Sequence, residues 1–332
     1  MVTLDELLHY YPDYNTAKLI LETSCEKVDE YIKDSRFFHK YVGVLDYLFP
    51  CIKDVKSFAE NLSKEIYLGN KLEAWKIAIS AYKSGLLNEE FIKEHENSLS
   101  LILTTPQGWL LVLDVSELVR DKIEENKDKL FNLLSADEKL WEVVYKLGVT
   151  VPSTIFDLPY IRSGLIKSRY FWEYLARHKG KKEIILNALS KGNLTAWEFV
   201  PRFLGVISLS DIYSRLHSLK LNSKRAWYVA SKIVDVIGKD FILEHIDKFF
   251  ERYFDGKVFV RLLKKGVLTP DYRQYYLELL MTYPKAWDYV TYAIKYGFVS
   301  KEEVDILREY FEYFVKVFKL KEKRIREELG WN

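Results

Sequence analysis

Apolar positions along this chain recur with helical spacing, and a large aromatic marks each recurrence. Trp75, Ile79 and Tyr82 share one helical face, as do Trp141, Val144 and Tyr145, and Trp287, Val290 and Ile294. The marking residues are Trp75, Trp109, Trp141, Trp172, Trp197, Trp227, Phe259 and Trp287, separated by 34, 32, 31, 25, 30, 32 and 28 residues. That interval is about one helical hairpin. After each aromatic come two helical turns, a glycine, two apolar residues and a polar helix starter. Gly85, Gly148, Gly205, Gly266 and Gly297 stand where a helix ends in the left-handed region. Asn70 with Glu73, Ser135 with Glu138, and Thr195 with Glu198 have capping-box spacing. Thr105-Pro106 places proline at a first helical position. Asn88, Thr269-Pro270, and Ser300 with Glu303 start the second helices.

No segment alternates as a strand does. One hairpin cannot bury its apolar face, so neighbours must stack. The pattern therefore predicts an all-α chain, an α-solenoid of about eight hairpins with a period of roughly 30 residues. Residues 1–69 fit the repeat poorly and are expected to be a helical cap, with Thr3 and Glu6 starting the first helix. Residues 70–299 carry the repeats. Residues 300–332 are expected to close the array, with 300–329 as one long helix striped by Ile306, Tyr310, Phe314 and Val317. One continuous elongated domain is the expectation.

The tryptophans admit two roles. They could offer stacking platforms for bases, but apolar partners at i+3 and i+4 make them a structural repeat core.

Composition narrows the setting. Gln occurs only at 107 and 274, and Cys and Met occur twice each. Depletion of thermolabile residues suggests a thermophile. Cys25 and Cys51 are read as free buried thiols, with a disulfide as the alternative. The longest uncharged stretch, 97–113, is too short to span a membrane. The N-terminus lacks a basic region ahead of an apolar core, so a cytoplasmic location is expected.

The formal net charge of +2 hides a segregation. Residues 1–161 hold 18 Lys/Arg against 27 Asp/Glu, net −9, whereas residues 162–232 hold 14 against 4, net +10. The remaining residues sum to +1. The basic section interleaves cations with Tyr170, Phe171, Trp172 and Tyr174. Candidates for polyanion binding are Arg162, Lys167, Arg169, Arg177, Lys179, Lys181, Lys182, Lys191, Arg202, Lys224 and Arg225, extended by Arg215 and Lys220. The bland alternative is a set of solvated faces pointing apart. The repeat also breaks here: the 172-to-197 interval is the shortest, and Pro201 is expected to kink the helix begun at Trp197. Lys179-Gly180-Lys181 offers a weak phosphate-cradle signal. The basic run Lys319–Arg326 reads as complement to a helix dipole.

No catalytic constellation is visible. His9, His39, His95, His178, His217 and His245 lack metal-ligand spacing, and no recognised nucleophile, phosphate-loop or zinc motif occurs. No cofactor, metal or small-molecule substrate is inferred.

In period and logic the array resembles α-solenoids of the HEAT and TPR kind, although the TPR residue pattern is not met. Tyr283-Pro284-Lys285-Ala286-Trp287 followed by Gly297-Phe298-Val299-Ser300, with Thr105-Pro106 and Gly266-Val267, resembles mitochondrial transcription termination factor repeats over about three units. That resemblance implies duplex DNA held in a basic concave groove. A second resemblance is to alkylpurine DNA glycosylases built on HEAT-like repeats, which implies a DNA-repair enzyme; no catalytic residue here maps onto it. The expectation is a non-enzymatic helical-repeat protein holding nucleic acid or an acidic protein surface on section 162–232. The rival is a protein–protein scaffold, with self-association between its acidic and basic parts.

Overall fold

The computed structural model describes all 332 residues. It is all-α, 73% helical, without a strand; Leu204 and Ile207 form one isolated bridge. The chain divides into two compact units, Met1–Leu158 and Pro159–Asn332.

In the N-terminal unit, side-chain caps start most helices. Thr3 accepts from the Glu6 amide to open Leu4–His9, and Asp13 and Asp34 do the same for Tyr14–Thr23 and Ser35–Tyr41. Asn70 opens Lys71–Ser84, which ends at Gly85 with φ +85°. Asn88 opens Glu89–Glu94, and Thr105, followed by Pro106, opens Pro106–Val112. The expected start at Ser135 is two residues early. Asp137 accepts from the Lys139 amide instead, and Ser135 bonds back to the Asn132 carbonyl of the helix it ends. Trp75, Trp109 and Trp141 are fully buried, together with Phe37, Phe38, Tyr41 and Phe58.

Cys25 and Cys51 are joined in a disulfide, which corrects the free-thiol expectation. Their spacing of 26 residues carried no hint of this. What decides it is that the turn at Cys25–Lys27 packs on the 3₁₀ segment Val42–Cys51, bringing the Cα atoms to 5.1 Å. Closing a loop of that length restricts the unfolded chain by about 3 kcal/mol. Melting under reducing conditions, or of Cys25→Ser, should show a loss of that order.

In the C-terminal unit the same devices recur. Trp172, Trp197, Trp227, Phe259 and Trp287 are fully buried. Each indole N–H donates to a carbonyl six to eight residues upstream: Trp172 to Ile166 at 3.1 Å, Trp197 to Leu189 at 3.1 Å, Trp227 to Leu221 at 3.2 Å and Trp287 to Leu280 at 2.8 Å. Trp109 does so to Leu103 in the other unit. Phe259 lacks the donor and stacks on Tyr276 at 4.6 Å, whose hydroxyl bonds the Ala286 carbonyl at 2.6 Å.

Three details differ from the sequence reading. Thr195 lies inside helix Leu194–Glu198, and Asn193 caps it by accepting from Thr195 and Ala196. Pro201 does not kink that helix. The helix stops at Glu198 and Pro201 enters a separate 3₁₀ turn, Val200–Phe203, because proline has no N–H to continue the ladder.

The C-terminal segment is three helices, Lys301–Asp305, Arg308–Phe314 and Glu322–Leu329, rather than one. Ile306 and Val317 are exposed, so the expected stripe is not the buried one. The chain turns back so that Trp331, unassigned by the repeat, packs on Trp287 and Phe311 at 5.9 and 5.3 Å. The Arg326 guanidinium, hydrogen-bonded to Glu312 at 2.7 and 2.9 Å, holds that carboxyl down at about 2. A depressed carboxylate contributes stability above its ordinary value of 4.5 and loses it as the pH falls toward 2. Between those limits Glu312→Gln should show a flatter decline in melting temperature than wild type.

Candidate polyanion-binding furrow

Three loops of the C-terminal unit carry the site, and the buried indoles pin all three. The loop before helix Arg169–His178 is held by Trp172 at Ile166, the last turn of helix Lys182–Ser190, from which the second loop leaves, by Trp197 at Leu189, and the loop before helix Lys224–Lys232 by Trp227 at Leu221. The buried Asn193 ties the first two together, donating to the Gly164 and Ile166 carbonyls at 2.9 and 2.7 Å. Gly192 brings the second against the third. It has φ +70°, and a Cβ there would lie 2.8 Å from the Ser218 carbonyl oxygen. Gly192→Ala should therefore cost at least about 1–2 kcal/mol and shift these loops apart. A thermal melt reads the first effect.

Each pinned loop exposes cations. A cleft of about 560 Å³ has Lys167, Arg169, Lys191 and Arg225 on its walls, and no carboxylate. A second, of about 430 Å³, shares Lys191, Gly192 and Leu194 with it and adds His217 and Lys220. A third, of about 650 Å³, shares His217, Lys220 and Asn222 and continues to Glu244, His245, Lys248 and Arg252. Shared walls make the three one furrow. Seven cations line it (Lys167, Arg169, Lys191, Lys220, Arg225, Lys248 and Arg252) with Glu244 as the one lining carboxylate; Arg169 is ion-paired to Glu198 behind the wall, which leaves six without an ion pair. Lys167, Lys191, Lys220, Lys248 and Arg252 are exposed.

Positioning of the remaining two is firmer. Arg225 donates to the Thr195 hydroxyl at 3.1 Å. Arg169 pairs with Glu198, which also accepts from Lys232 at 3.0 Å. Burial pushes the Glu198 carboxyl up, but the hydrogen bonds from Lys232 and Arg169 outweigh it and leave it lowered. The guanidinium of Arg169 also lies 5.3 Å from the ring centre of Phe199, as does that of Arg202.

Other sequence candidates lie elsewhere. Arg162 pairs with Glu183 at 3.9 Å, Lys182 with Asp211 at 3.5 Å and Arg202 with Glu173 at 2.6 Å. All four carboxylates of section 162–232 are thus engaged by its own cations, so its positive excess is carried by the rest. Arg177 lies in the last turn of helix Arg169–His178. Lys179 and Lys181 follow it with φ +46° and +70°, while Gly180 is not left-handed. Lys224 is exposed at the first position of helix Lys224–Lys232, and Arg215 bonds Ser190 and the Asp211 carbonyl. None of these walls the furrow.

His217, His245, Lys248 and Arg252 were missed, because the last three fall beyond residue 232, where the local charge is balanced. Only the fold adds them. In the N-terminal unit a cleft of about 440 Å³ makes a contrast: its Arg120 pairs with Glu117 at 2.6 Å, its Lys127 with Glu124 and its Lys146 with Glu142 at 3.7 Å, so each of its cations has a carboxylate partner.

No family model, curated protein or solved structure matches this chain. The resemblances therefore stand on the residues quoted for them. No helix is long and apolar enough to cross a membrane, and no cluster of three or more His, Cys, Asp or Glu is placed to hold a metal ion.

Proposed function

We propose that this protein is a non-enzymatic binder of polyanions, nucleic acid or an acidic protein surface, built from stacked helical hairpins. Polar contacts that skip one period support the repeat: Arg225 to Thr195, Arg261 to Ser231 and Arg273 to Glu303, each 30 residues apart, and Ser63 to His95, 32 apart. Such contacts are what equivalent positions of neighbouring hairpins make.

The observation that carries the function is the furrow, where six Lys/Arg without an ion pair, together with the Glu198-paired Arg169, face one lining carboxylate along connected clefts. Like charges gathered on one face repel one another. A polyanion relieves that repulsion and releases its own counterions on binding. The buried tryptophans supply no stacking platform to a ligand. Their work is to hold the loops that present the cations.

The deciding experiment is electrophoretic mobility shift with DNA, RNA and a polyglutamate across a salt series. Binding that weakens steeply with salt supports the proposal. No shift at any salt concentration overturns it.

A further inference from the structure

The third cleft differs from the other two in its walls. Besides Lys220, Lys248 and Arg252 it carries the rings of Phe241 and Tyr253, the amide of Asn222 and apolar Leu216, Leu219 and Leu221. Its volume of about 650 Å³ lies within the range of pockets that enclose small organic groups. Tyr253 and Arg252 reach it from a π-helical turn, Phe249–Tyr253. Such turns are rare and concentrate at functional sites, because the extra residue re-aims side chains that a regular helix would direct elsewhere. Here Phe249 and Phe250 of the turn are buried, while Arg252 is exposed and Tyr253 half-exposed.

We propose that the furrow takes single-stranded nucleic acid, its backbone along the cations and an unstacked base in this third cleft. The inference rests on the polyanion reading above and narrows it. A duplex keeps its bases stacked inside and offers phosphates outward, so it would use the lysines and leave Phe241, Tyr253 and Asn222 without a role. An acidic peptide would leave them equally idle. A single strand uses both parts. Phosphates meet the cations, and a base face meets a ring, while the Asn222 amide can donate to and accept from a base edge.

The test is fluorescence anisotropy with labelled oligonucleotides of one sequence: single-stranded DNA and RNA, the matching duplexes, a single strand with abasic sites, and polyglutamate. Single strands are expected to bind about tenfold tighter than duplex or abasic strand, the scale of one base–aromatic stack. Tyr253→Ser should erase that preference while leaving the salt dependence. Phe241→Leu, which keeps an apolar side chain, should weaken it. Because the abasic strand removes the base rather than the ring, its result does not depend on a variant folding. If duplex or abasic strand binds as tightly as the base-bearing single strand, the inference fails and the polyanion reading survives. If only polyglutamate binds, the partner is an acidic protein and the inference fails. If nothing binds, the underlying reading fails as well.

Discussion

Trp287→Ala is expected to lower stability by about 3–5 kcal/mol, the cost of emptying a fully buried aromatic site. The loss has three parts. The ring gives up apolar burial. It leaves a hole facing Phe311 and Trp331, whose rings lie 5.3 and 5.9 Å away. It also strands the Leu280 carbonyl that accepts its N–H at 2.8 Å. Trp141→Ala should behave alike, since its ring is equally buried beside Phe156. Denaturant midpoints with unchanged slopes would measure the effect. Wild-type fluorescence dominated by water-exposed tryptophan would contradict it.

Reversing Lys167, Lys191 and Lys220 to Glu together is expected to abolish polyanion binding and leave the thermal melt nearly unchanged. The three lysines are exposed and make no ion pair, so stability owes them little. The furrow, by contrast, leaving aside the Glu198-paired Arg169, goes from six positive charges against one negative to three against four. Wild-type affinity should fall steeply with salt: proteins making about 6–10 phosphate contacts lose about 10³–10⁵ in affinity between 50 and 200 mM salt. Lys179→Glu, off the furrow, is the control and should weaken binding far less. Should wild type ignore DNA, RNA and polyglutamate alike at low salt, the charge segregation points to docking between copies. The Met1–Leu158 unit, with 18 Lys/Arg against 27 Asp/Glu, would then pair with the basic unit of another molecule. Sedimentation that shifts with ionic strength would reveal it.

Which sequence signals were legible follows from how local their physics is. The caps at Thr3, Asn70, Asn88, Thr105 and Ser300 were readable because a side chain and an amide two or three residues on are enough to make them. The glycines at 85, 148, 205, 266 and 297 were readable because all five adopt positive φ, which other residues avoid. The candidate cations were only partly legible. A charge count names residues but not faces or partners, so Arg162, Arg169, Lys182 and Arg202 are all counted although carboxylates engage them.

By itself, then, the sequence determined that the chain is helical, where several of its helices start or stop, and that the eight recurring aromatics are buried. Each of these follows from interactions within about one turn or from a strong apolar preference. The tertiary structure alone decided the rest. It closed the Cys25–Cys51 bridge, because a disulfide depends on distance in space. It turned the chain back between Phe314 and Glu322, because Trp331 finds its apolar surroundings on Trp287 and Phe311 only if the last helix returns. It joined Lys167, Lys191, Lys220 and Lys248 into one furrow, because loops far apart in sequence meet only when the helices that carry them pack together.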